Sequence, residues 1–218
     1  VGKYVDAADA YISVEQAVVH AGVHNGYRPN IRWVNSERLE KVPAATLLGG
    51  IDGIIVPGGF GSRGIEGKIE AARHARVNRI PYFGLCLGLQ TAVIEFARNV
   101  LNLPGANSIE FDPDTRDPVI CPMPDHYGAI DMGGTMRLGE QPCGLVPGTM
   151  AAAAYGTELV RERHRHRMEF NNDYRDRMTA AGMSLSGINP DKDLVEIIEL
   201  RDHPWFVGVQ FHPELKSK

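Results

Sequence analysis

The stretch that decides the fold reads Phe83-Gly84-Leu85-Cys86-Leu87-Gly88-Leu89-Gln90. It ends a short apolar run, Ile80 to Phe83, and opens a segment whose apolar residues recur at helical spacing. This is the cysteine form of the strand-to-helix turn G-x-[SC]-x-G, which holds a side chain on a sharp bend. We expect Cys86 to have a strained backbone. Gly84 and Gly88 are then needed because side chains there would collide with the adjoining strand and helix.

The position of Cys86 gives its sulfur a chemical role. At the first turn of a helix the sulfur would lie in the positive end of the helix field, which favours thiolate over thiol. The alternative is a small buried hydrophobe, which is what most unpaired cysteines are. The five residues from Gly84 to Gly88 leave both interpretations open.

The composition is that of an ordinary globular chain. Its 218 residues are 43% hydrophobic and 23% charged, which suits one sizeable α/β core. A net charge of −4 gives no argument for binding nucleic acid or an anionic membrane, and no apolar run approaches a membrane span. The three cysteines, Cys86, Cys121 and Cys143, suggest neither a disulfide framework nor a metal site. We therefore expect a cytoplasmic protein without a bound metal.

The first half of the chain alternates strands and helices. A capping-box pattern at Ser13-Val14-Glu15-Gln16 predicts a helix to about Ala21, and Ile31 to Val34 predicts a strand. The apolar run Gly53 to Val56 predicts a central parallel strand, followed by a helix from Ile65 to Val77. This order indicates a doubly wound, mostly parallel sheet flanked by helices.

The second half is rich in strands, and we expect them to form an added sheet beside the first. The predicted strands are Gly133 to Gly139, Arg163 to Phe170, Leu194 to Leu200 and Trp205 to Phe211. Alternation in the second of these predicts that the arginines and the histidines of Arg163 to Arg167 face opposite sides. No linker divides the chain, so residues 1–218 are expected to form one domain. The opening residues, Val1 to Val5, resemble the end of a strand and suggest a piece of a longer polypeptide.

A partner for a thiol nucleophile stands at Gln210-Phe211-His212-Pro213-Glu214. A nucleophile needs a base, and the base needs a group that orients it. Residues two apart on an extended chain project to the same side, so His212 and Glu214 can sit together. The carboxylate would then fix the imidazole tautomer and leave the other ring nitrogen for the sulfur of Cys86.

The glycine-rich turn from Pro57 to Gly61 predicts an oxyanion hole. Glycines after a central strand let backbone N–H groups approach a ligand closely. The N–H groups of Gly58 and Leu87 are the expected pair of donors. The alternative, a phosphate-binding loop, is disfavoured because the turn lacks the glycine spacing of such loops.

Together, Gly84 to Gly88 and His212-x-Glu214 resemble the class I (triad-type) glutamine amidotransferases, which have a flavodoxin-like fold. Longer motifs are similar to the glutaminase domains of the CTP synthase family. These motifs are Phe60 to Lys68, Ala92 to Val100, Gly105 to Asp112, Gly133 to Gly139 and Arg163 to Arg167. The stretch from Pro122 to Asp131 departs from the family's pattern.

The resemblance implies a Cys86–His212–Glu214 triad that hydrolyses L-glutamine to glutamate and ammonia. It implies that glutamine is held by Gly58, Leu87, Gly88, Leu89, Gln90, Glu110 and Arg167. Glu110 suits the α-ammonium of glutamine, and Arg167 suits the α-carboxylate through a two-pronged bond.

The resemblance also implies partners outside these residues. The ammonia would serve an amidoligase domain of the same polypeptide, where ATP and Mg support the amination of UTP to CTP, the reaction of a ligase. GTP is the expected allosteric effector, and the full-length protein is expected to be a homo-oligomer (tetramer). The alternatives are a glutaminase subunit of another amidotransferase, a cysteine hydrolase on the same fold, or a regulatory module whose triad is idle.

Overall fold

The computed structural model describes residues 1–7, 9–123 and 136–218. Its helices are α1 (Ile12–Asn25), α2 (Ser36–Leu39), α3 (Ala44–Leu47), α4 (Ile65–Asn78), α5 (Leu87–Asn99), α6 (Met150–Tyr155) and α7 (Arg175–Ala180), with 3₁₀ helices at Asn172–Tyr174 and Pro213–Lys216. Its strands are β1 (Ile54–Val56), β2 (Tyr82–Leu85), β3 (Asn107–Ser108), β4 (Pro118–Pro122), β5 (Arg137–Leu145), β6 (Leu159–His166), β7 (Met168–Phe170), β8 (Met183–Asn189), β9 (Leu194–Leu200) and β10 (Phe206–Val209).

A seven-stranded sheet in the order β1-β2-β10-β9-β8-β5-β6 forms the centre of the fold. Strand β2 pairs in parallel with β1 on one side and with β10 on the other. The remaining pairings, from β10–β9 to β5–β6, are antiparallel. The α/β class and the flanking helices are confirmed, but the sheet is mixed rather than mostly parallel.

The second half of the chain is rich in strands, as predicted. Most of these strands join the central sheet, however, and do not form an added sheet beside it. Strands β5, β6, β8 and β9 extend the central sheet because β10 returns to pair with both β2 and β9. A separate sheet of β3, β4 and β7 lies beside it.

Helix α5 is the best buried of the helices that cover the parallel strands. All residues from Leu87 to Ala97 are buried, including the polar Gln90 and Thr91. Its apolar side joins a core with residues of β1 and β9, such as Val56 and Ile198. Because β2 runs directly into α5, this packing fixes the turn between them.

The element boundaries correct three details of the sequence predictions. Helix α1 starts after Tyr11 without a side-chain cap, so the capping box at Ser13 is not formed, and the helix continues to Asn25, with Gly26 as its C-cap. Residues 31–34 form no strand; an isolated bridge pairs Gly2 with Asn35, the residue that follows them. The predicted strand from Gly133 to Gly139 begins outside the described residues, and β5 starts at Arg137. Most of the divergent stretch from Pro122 to Asp131 also lies outside them.

Within the described ranges, no helix is both long and apolar enough to cross a membrane. The same residues contain no group of three or more His, Cys, Asp or Glu side chains that could hold a metal ion.

Candidate active site

The turn that carries Cys86 is strained, as its sequence predicts. Cys86 has φ 53° and ψ −102°, in the half of conformational space that favours glycine. Its N–H donates to Val209 O at 2.7 Å, which ties the turn to β10. A Cβ on Gly84 would lie 2.6 Å from the carbonyl carbon of Gly88, and one on Gly88 would overlap Val56 O. Both glycines are therefore required by close approaches of backbone.

His212 and Glu214 meet as predicted, but through a different backbone path. Strand β10 ends at Val209, and a 3₁₀ helix starting at Pro213 turns Glu214 back toward the imidazole. His212 Nδ1 lies 2.8 Å from Glu214 Oε1, and both side chains are largely buried. The backbone N–H of His212 donates to Arg163 O at 2.8 Å. The pairing thus depends on a turn and not on an extended strand.

His212 also interacts with the side chain of Cys86. Burial on its own would lower the pKa of His212. The interactions with Cys86 and Glu214 and the negative charges of both groups outweigh burial and raise that pKa to about 10. The imidazole is therefore held in its charged form between a sulfur and a carboxylate.

Gln210 is a site residue that the sequence predictions missed. Its Nε2 lies 3.8 Å from Cys86 Sγ, and its Oε1 accepts from Gln90 Nε2 at 3.3 Å. Gln90 Nε2 is also 3.2 Å from Met168 O. The signal was present, because Gln210 precedes His212 by two residues and such residues share a face of an extended chain.

A narrow cleft beside Cys86 has room for about one water molecule, with a volume of about 10 Å³. The residues that line it are Gly59, Phe60, Cys86, Gln90, Glu110, His166, Arg167 and Met168. Three of the residues expected to hold glutamine, Gln90, Glu110 and Arg167, are thus brought together. Glu110 Oε1 accepts from the N–H of Gly61 at 3.2 Å, which joins the cleft to the glycine-rich turn.

The other expected binding residues lie around the turn itself. Leu87 is the first residue of α5, where N–H groups have no partner within the helix. Gly58 lies against the reactive groups, since a Cβ there would be 2.9 Å from His212 Cε1 and 3.6 Å from Cys86 Cβ. Gly88 packs against β1. The side chain of Leu89 is fully buried against Gly208 and not in the cleft, so only its backbone can face a ligand.

The predicted alternation of the basic run holds along β6. Arg163 and Arg165 are exposed, whereas His164 and His166 are buried. Arg167 lies at the break between β6 and β7 and is half-buried. Because β6 ends before Arg167, this arginine does not lie on the exposed face with Arg163 and Arg165 but lines the cleft.

A buried ionic cluster behind the cleft was not predicted from the sequence. Arg137 lies 3.3 Å from Glu169 and 2.5 Å from Glu196, and all three side chains are almost completely buried. His164 Nδ1 is 2.8 Å from His166 Nε2. Burial, with smaller effects of nearby cations, lowers the pKa of His166 to about 3, whereas burial raises that of Glu169 to about 8. Burial also lowers the pKa of His164 far below its usual value, so both histidines are neutral beside the site.

Comparison with known proteins agrees with this fold. The family model described as glutamine amidotransferase class-I matches residues 6–218, and the chain belongs to that family. Within the family it is similar to CTP synthase. It is 61% identical over 218 residues to CTP synthase from Carboxydothermus hydrogenoformans and 62% identical to that from Herpetosiphon aurantiacus. All of this chain is aligned in both cases, but it spans only 41% of either relative.

A solved structure gives the same relationship. The glutaminase domain of Trypanosoma brucei CTPS, solved with bound acivicin, matches with a TM-score of 0.91 and 41% identity. The match covers 98% of this chain and 84% of that one. The expected relationship to CTP synthase glutaminase domains is thereby confirmed.

Proposed function

We propose that this chain hydrolyses L-glutamine to glutamate and ammonia through Cys86, His212 and Glu214. The observation that carries the proposal is the grouping of Cys86, His212 and Glu214: Cys86 and His212 both lie against Gly58, and His212 Nδ1 is 2.8 Å from Glu214 Oε1. The thiolate is the nucleophilic form of cysteine, and an imidazole beside the sulfur can exchange a proton with it. Membership of the class I glutamine amidotransferases supports glutamine as the substrate.

The first half of the proposed reaction forms a thioester. The thiolate of Cys86 attacks the carboxamide carbon of glutamine, and the electron pair of the C=O bond moves to its oxygen. The N–H groups of Gly58 and Leu87 stabilise this oxyanion. The oxyanion then re-forms the C=O bond, and the C–N bond breaks. His212 gives its proton to the departing nitrogen, so ammonia leaves and a γ-glutamyl thioester remains on Cys86.

The second half releases glutamate. His212, now neutral, takes a proton from water as the water oxygen attacks the thioester carbon. The C–S bond breaks, which restores the thiolate and the charged imidazole and leaves glutamate. Glu214 accepts from His212 Nδ1 throughout and keeps Nε2 directed at the reacting atoms.

Charged and amide groups in the cleft account for the choice of substrate. Glu110 is proposed to bind the α-ammonium of glutamine, and Arg167 its α-carboxylate, since both residues line the cleft beside Cys86. Gln90 and the backbone of Gly88 and Leu89 complete the contacts. A ligand without either α-group would leave one of these charges unpaired, which disfavours its binding.

The ammonia is proposed to serve the amination of UTP to CTP by an amidoligase domain in the same polypeptide. Relatives named CTP synthase, of which this chain spans 41%, support that assignment. ATP and Mg would act on that other domain, GTP would be an allosteric effector, and the full-length protein would form a tetramer.

A glutamine-like electrophile tests the glutaminase proposal directly. We expect one adduct on Cys86 by mass spectrometry and none in Cys86→Ala. An adduct on Cys121 or Cys143 instead would contradict the proposal.

For the binding residues, Arg167→Ala should weaken the binding of glutamine far more than Arg165→Ala, since of these two arginines only Arg167 lines the cleft. Equal effects of the two substitutions would remove Arg167 from the site.

A further inference from the structure

Lys68 is a buried charged residue that the proposed reaction does not use. It belongs to α4, its side chain is completely buried, and its Nζ donates to Pro57 O at 2.7 Å. Burying an ammonium group costs free energy unless the group is well paired. Burial lowers the pKa of Lys68 to about 7, nearby Lys3 adds to that lowering, and the charge of Cys86 opposes it. A function for this side chain would explain its placement under the glycine-rich turn.

The acceptor of Lys68 belongs to the peptide that carries the N–H of Gly58. No cis peptide bond occurs among the described residues, so this peptide is trans and its C=O and N–H point in opposite directions. A bond that holds Pro57 O toward α4 therefore turns the Gly58 N–H away from α4. Gly58 itself lies against Cys86 and His212. The orientation of one carbonyl thus decides where the N–H beside the sulfur is directed.

The turn needs such a restraint because three of its five residues, Pro57 to Gly61, are glycines. Glycine gives the backbone wide freedom, and a peptide between two loop residues can rotate. Lys3 restrains the far end of the same turn, where its Nζ donates to Phe60 O at 2.8 Å and also to Gly61 O. Two lysines therefore hold two separate points of the turn, and only Lys68 holds the peptide next to Cys86.

We propose that Lys68 is a positioning residue for glutamine hydrolysis, which holds the Pro57–Gly58 peptide so that its N–H faces the oxyanion. This inference rests on the proposed function, in which Gly58 is an oxyanion donor. Lys68 touches no reacting atom; it acts through the backbone. Replacing Lys68 should therefore slow reactions of Cys86 in which an oxyanion forms. Reactions of the same sulfur that form no oxyanion should keep their rate.

Lys68→Met removes the donor and keeps a chain of similar length. Loss of one oxyanion donor lowers kcat by about 10²–10³, and misdirecting it should lower kcat at least about tenfold. We expect KM for glutamine to change by less than about twofold, because the substrate's α-groups bind elsewhere. Alkylation of Cys86 by iodoacetamide is a direct displacement without an oxyanion, so its rate should also stay within about twofold. Urea unfolding shows how much stability the variant loses, because removing the ammonium leaves Pro57 O without its donor, and all rates are measured well below the unfolding transition.

Arg73→Met is the control, since it changes a cation of the same helix whose side chain pairs with Glu70 at the surface, and its kcat should stay within about twofold. The inference is overturned if Lys68→Met keeps the wild-type kcat, if Arg73→Met loses as much, or if alkylation slows in parallel with hydrolysis.

Failure of the proposed function would look different, because the wild-type chain itself would then release no ammonia. In that case the inference is tested by the binding of the γ-aldehyde analogue of glutamine to wild type and to Lys68→Met. The aldehyde forms a thiohemiacetal with Cys86, and the oxygen of that adduct would lie at the N–H groups of Gly58 and Leu87. At least about tenfold weaker binding to Lys68→Met supports the inference, and equal binding overturns it.

Discussion

Replacing Gly84 by alanine would put a methyl group between β2 and the first turn of α5. The new Cβ would lie 2.6 Å from the carbonyl carbon of Gly88 and 2.7 Å from its oxygen, where ordinary contact begins at 3.4 Å. No side chain can rotate away, because both neighbours are backbone atoms. Strand β2 is held between β1 and β10, so α5 must retreat by most of an ångström.

The expected cost follows from this overlap. Overpacking a closely packed site costs about 1–3 kcal/mol, and we expect the upper end because backbone must move on both sides. A loss of about 3 kcal/mol lowers the ratio of folded to unfolded protein by roughly a hundredfold. The same retreat displaces the residue that follows Cys86, and a misplacement near 1 Å can lower a catalytic rate by about 10².

Urea unfolding and ammonia release measure the two effects separately. Gly105→Ala is the control, because a Cβ there meets no atom within 4 Å. It should leave the free energy of unfolding unchanged or raise it by up to about 1 kcal/mol through the unfolded state. Ammonia release is measured well below the urea transition, so that only folded protein contributes. If Gly84→Ala matched Gly105→Ala in stability, or kept the wild-type rate, the steric explanation of the turn would be wrong.

Three further substitutions test the charges around the site. Glu214→Gln keeps the shape but not the charge beside His212, and we expect ammonia release to fall by about 10²–10⁴. The folded-state pKa of His212 is raised to about 10, so its stabilisation is complete below its ordinary value of 6.5 and is lost as the pH rises toward 10. Between pH 7 and pH 9, wild type should therefore lose about 2 kcal/mol or more of stability relative to His212→Asn. Arg137→Met should lower the free energy of unfolding by about 3–5 kcal/mol, because it leaves the buried side chains of Glu169 and Glu196 without their shared partner.

Controls for these substitutions come from the same chain. Arg73→Met breaks an exposed pair with Glu70 and should change stability by less than about 0.5 kcal/mol. If Arg73→Met and Arg137→Met lowered the free energy of unfolding equally, breaking the buried cluster would cost no more than breaking an exposed pair. A Glu214→Gln variant with full ammonia release, or identical pH profiles of unfolding for wild type and His212→Asn, would contradict the assigned role of the imidazole.

The catalytic turn could be predicted from the sequence because its causes are local. Gly84 is needed by its contact with Gly88, four residues further on, and the cysteine between them is held by the same strand and helix. Gly88 is needed by a contact with Val56 of β1, which is distant in the sequence, but the motif itself shows the glycine. His212 and Glu214 are separated by one residue, so their pairing required only a short-range argument. These features depend on neighbours along the chain, which a sequence displays directly.

The direction of the later strands could not be predicted in the same way. Strands β8 and β9, joined by the turn from 190 to 193, and β5 and β6, joined through α6, pair antiparallel. Alternation shows which side of a strand is buried, but not which strand will lie beside it. The central sheet is mixed because β10 pairs in parallel with β2 and antiparallel with β9. The pairing with β2 joins residues that are far apart in the sequence.

The buried ionic cluster was missed for a related reason. Arg137, Glu169 and Glu196 belong to three different strands, and charged residues on strands are ordinarily assigned to the solvent side. Glu199 shows the same behaviour, since it is buried and accepts from the N–H groups of Met150 and Ala151 at the start of α6. Only the folded sheet shows that these charges have partners.

The parallel pairing of β2 with β10 has a consequence for when the thiol becomes reactive. The sulfur of Cys86 and its neighbour Gln210 are 124 positions apart, and His212 follows two residues later. Closing a loop of that length costs about 4 kcal/mol of chain entropy, which the central sheet must recover before the imidazole can meet the sulfur. A half-folded chain therefore carries Cys86 without the imidazole that is its proposed base. The proposed thioester chemistry can begin only when the sheet closes, so that a partly folded chain does not modify other proteins, and the alkylation rate of Cys86 reports completed folding.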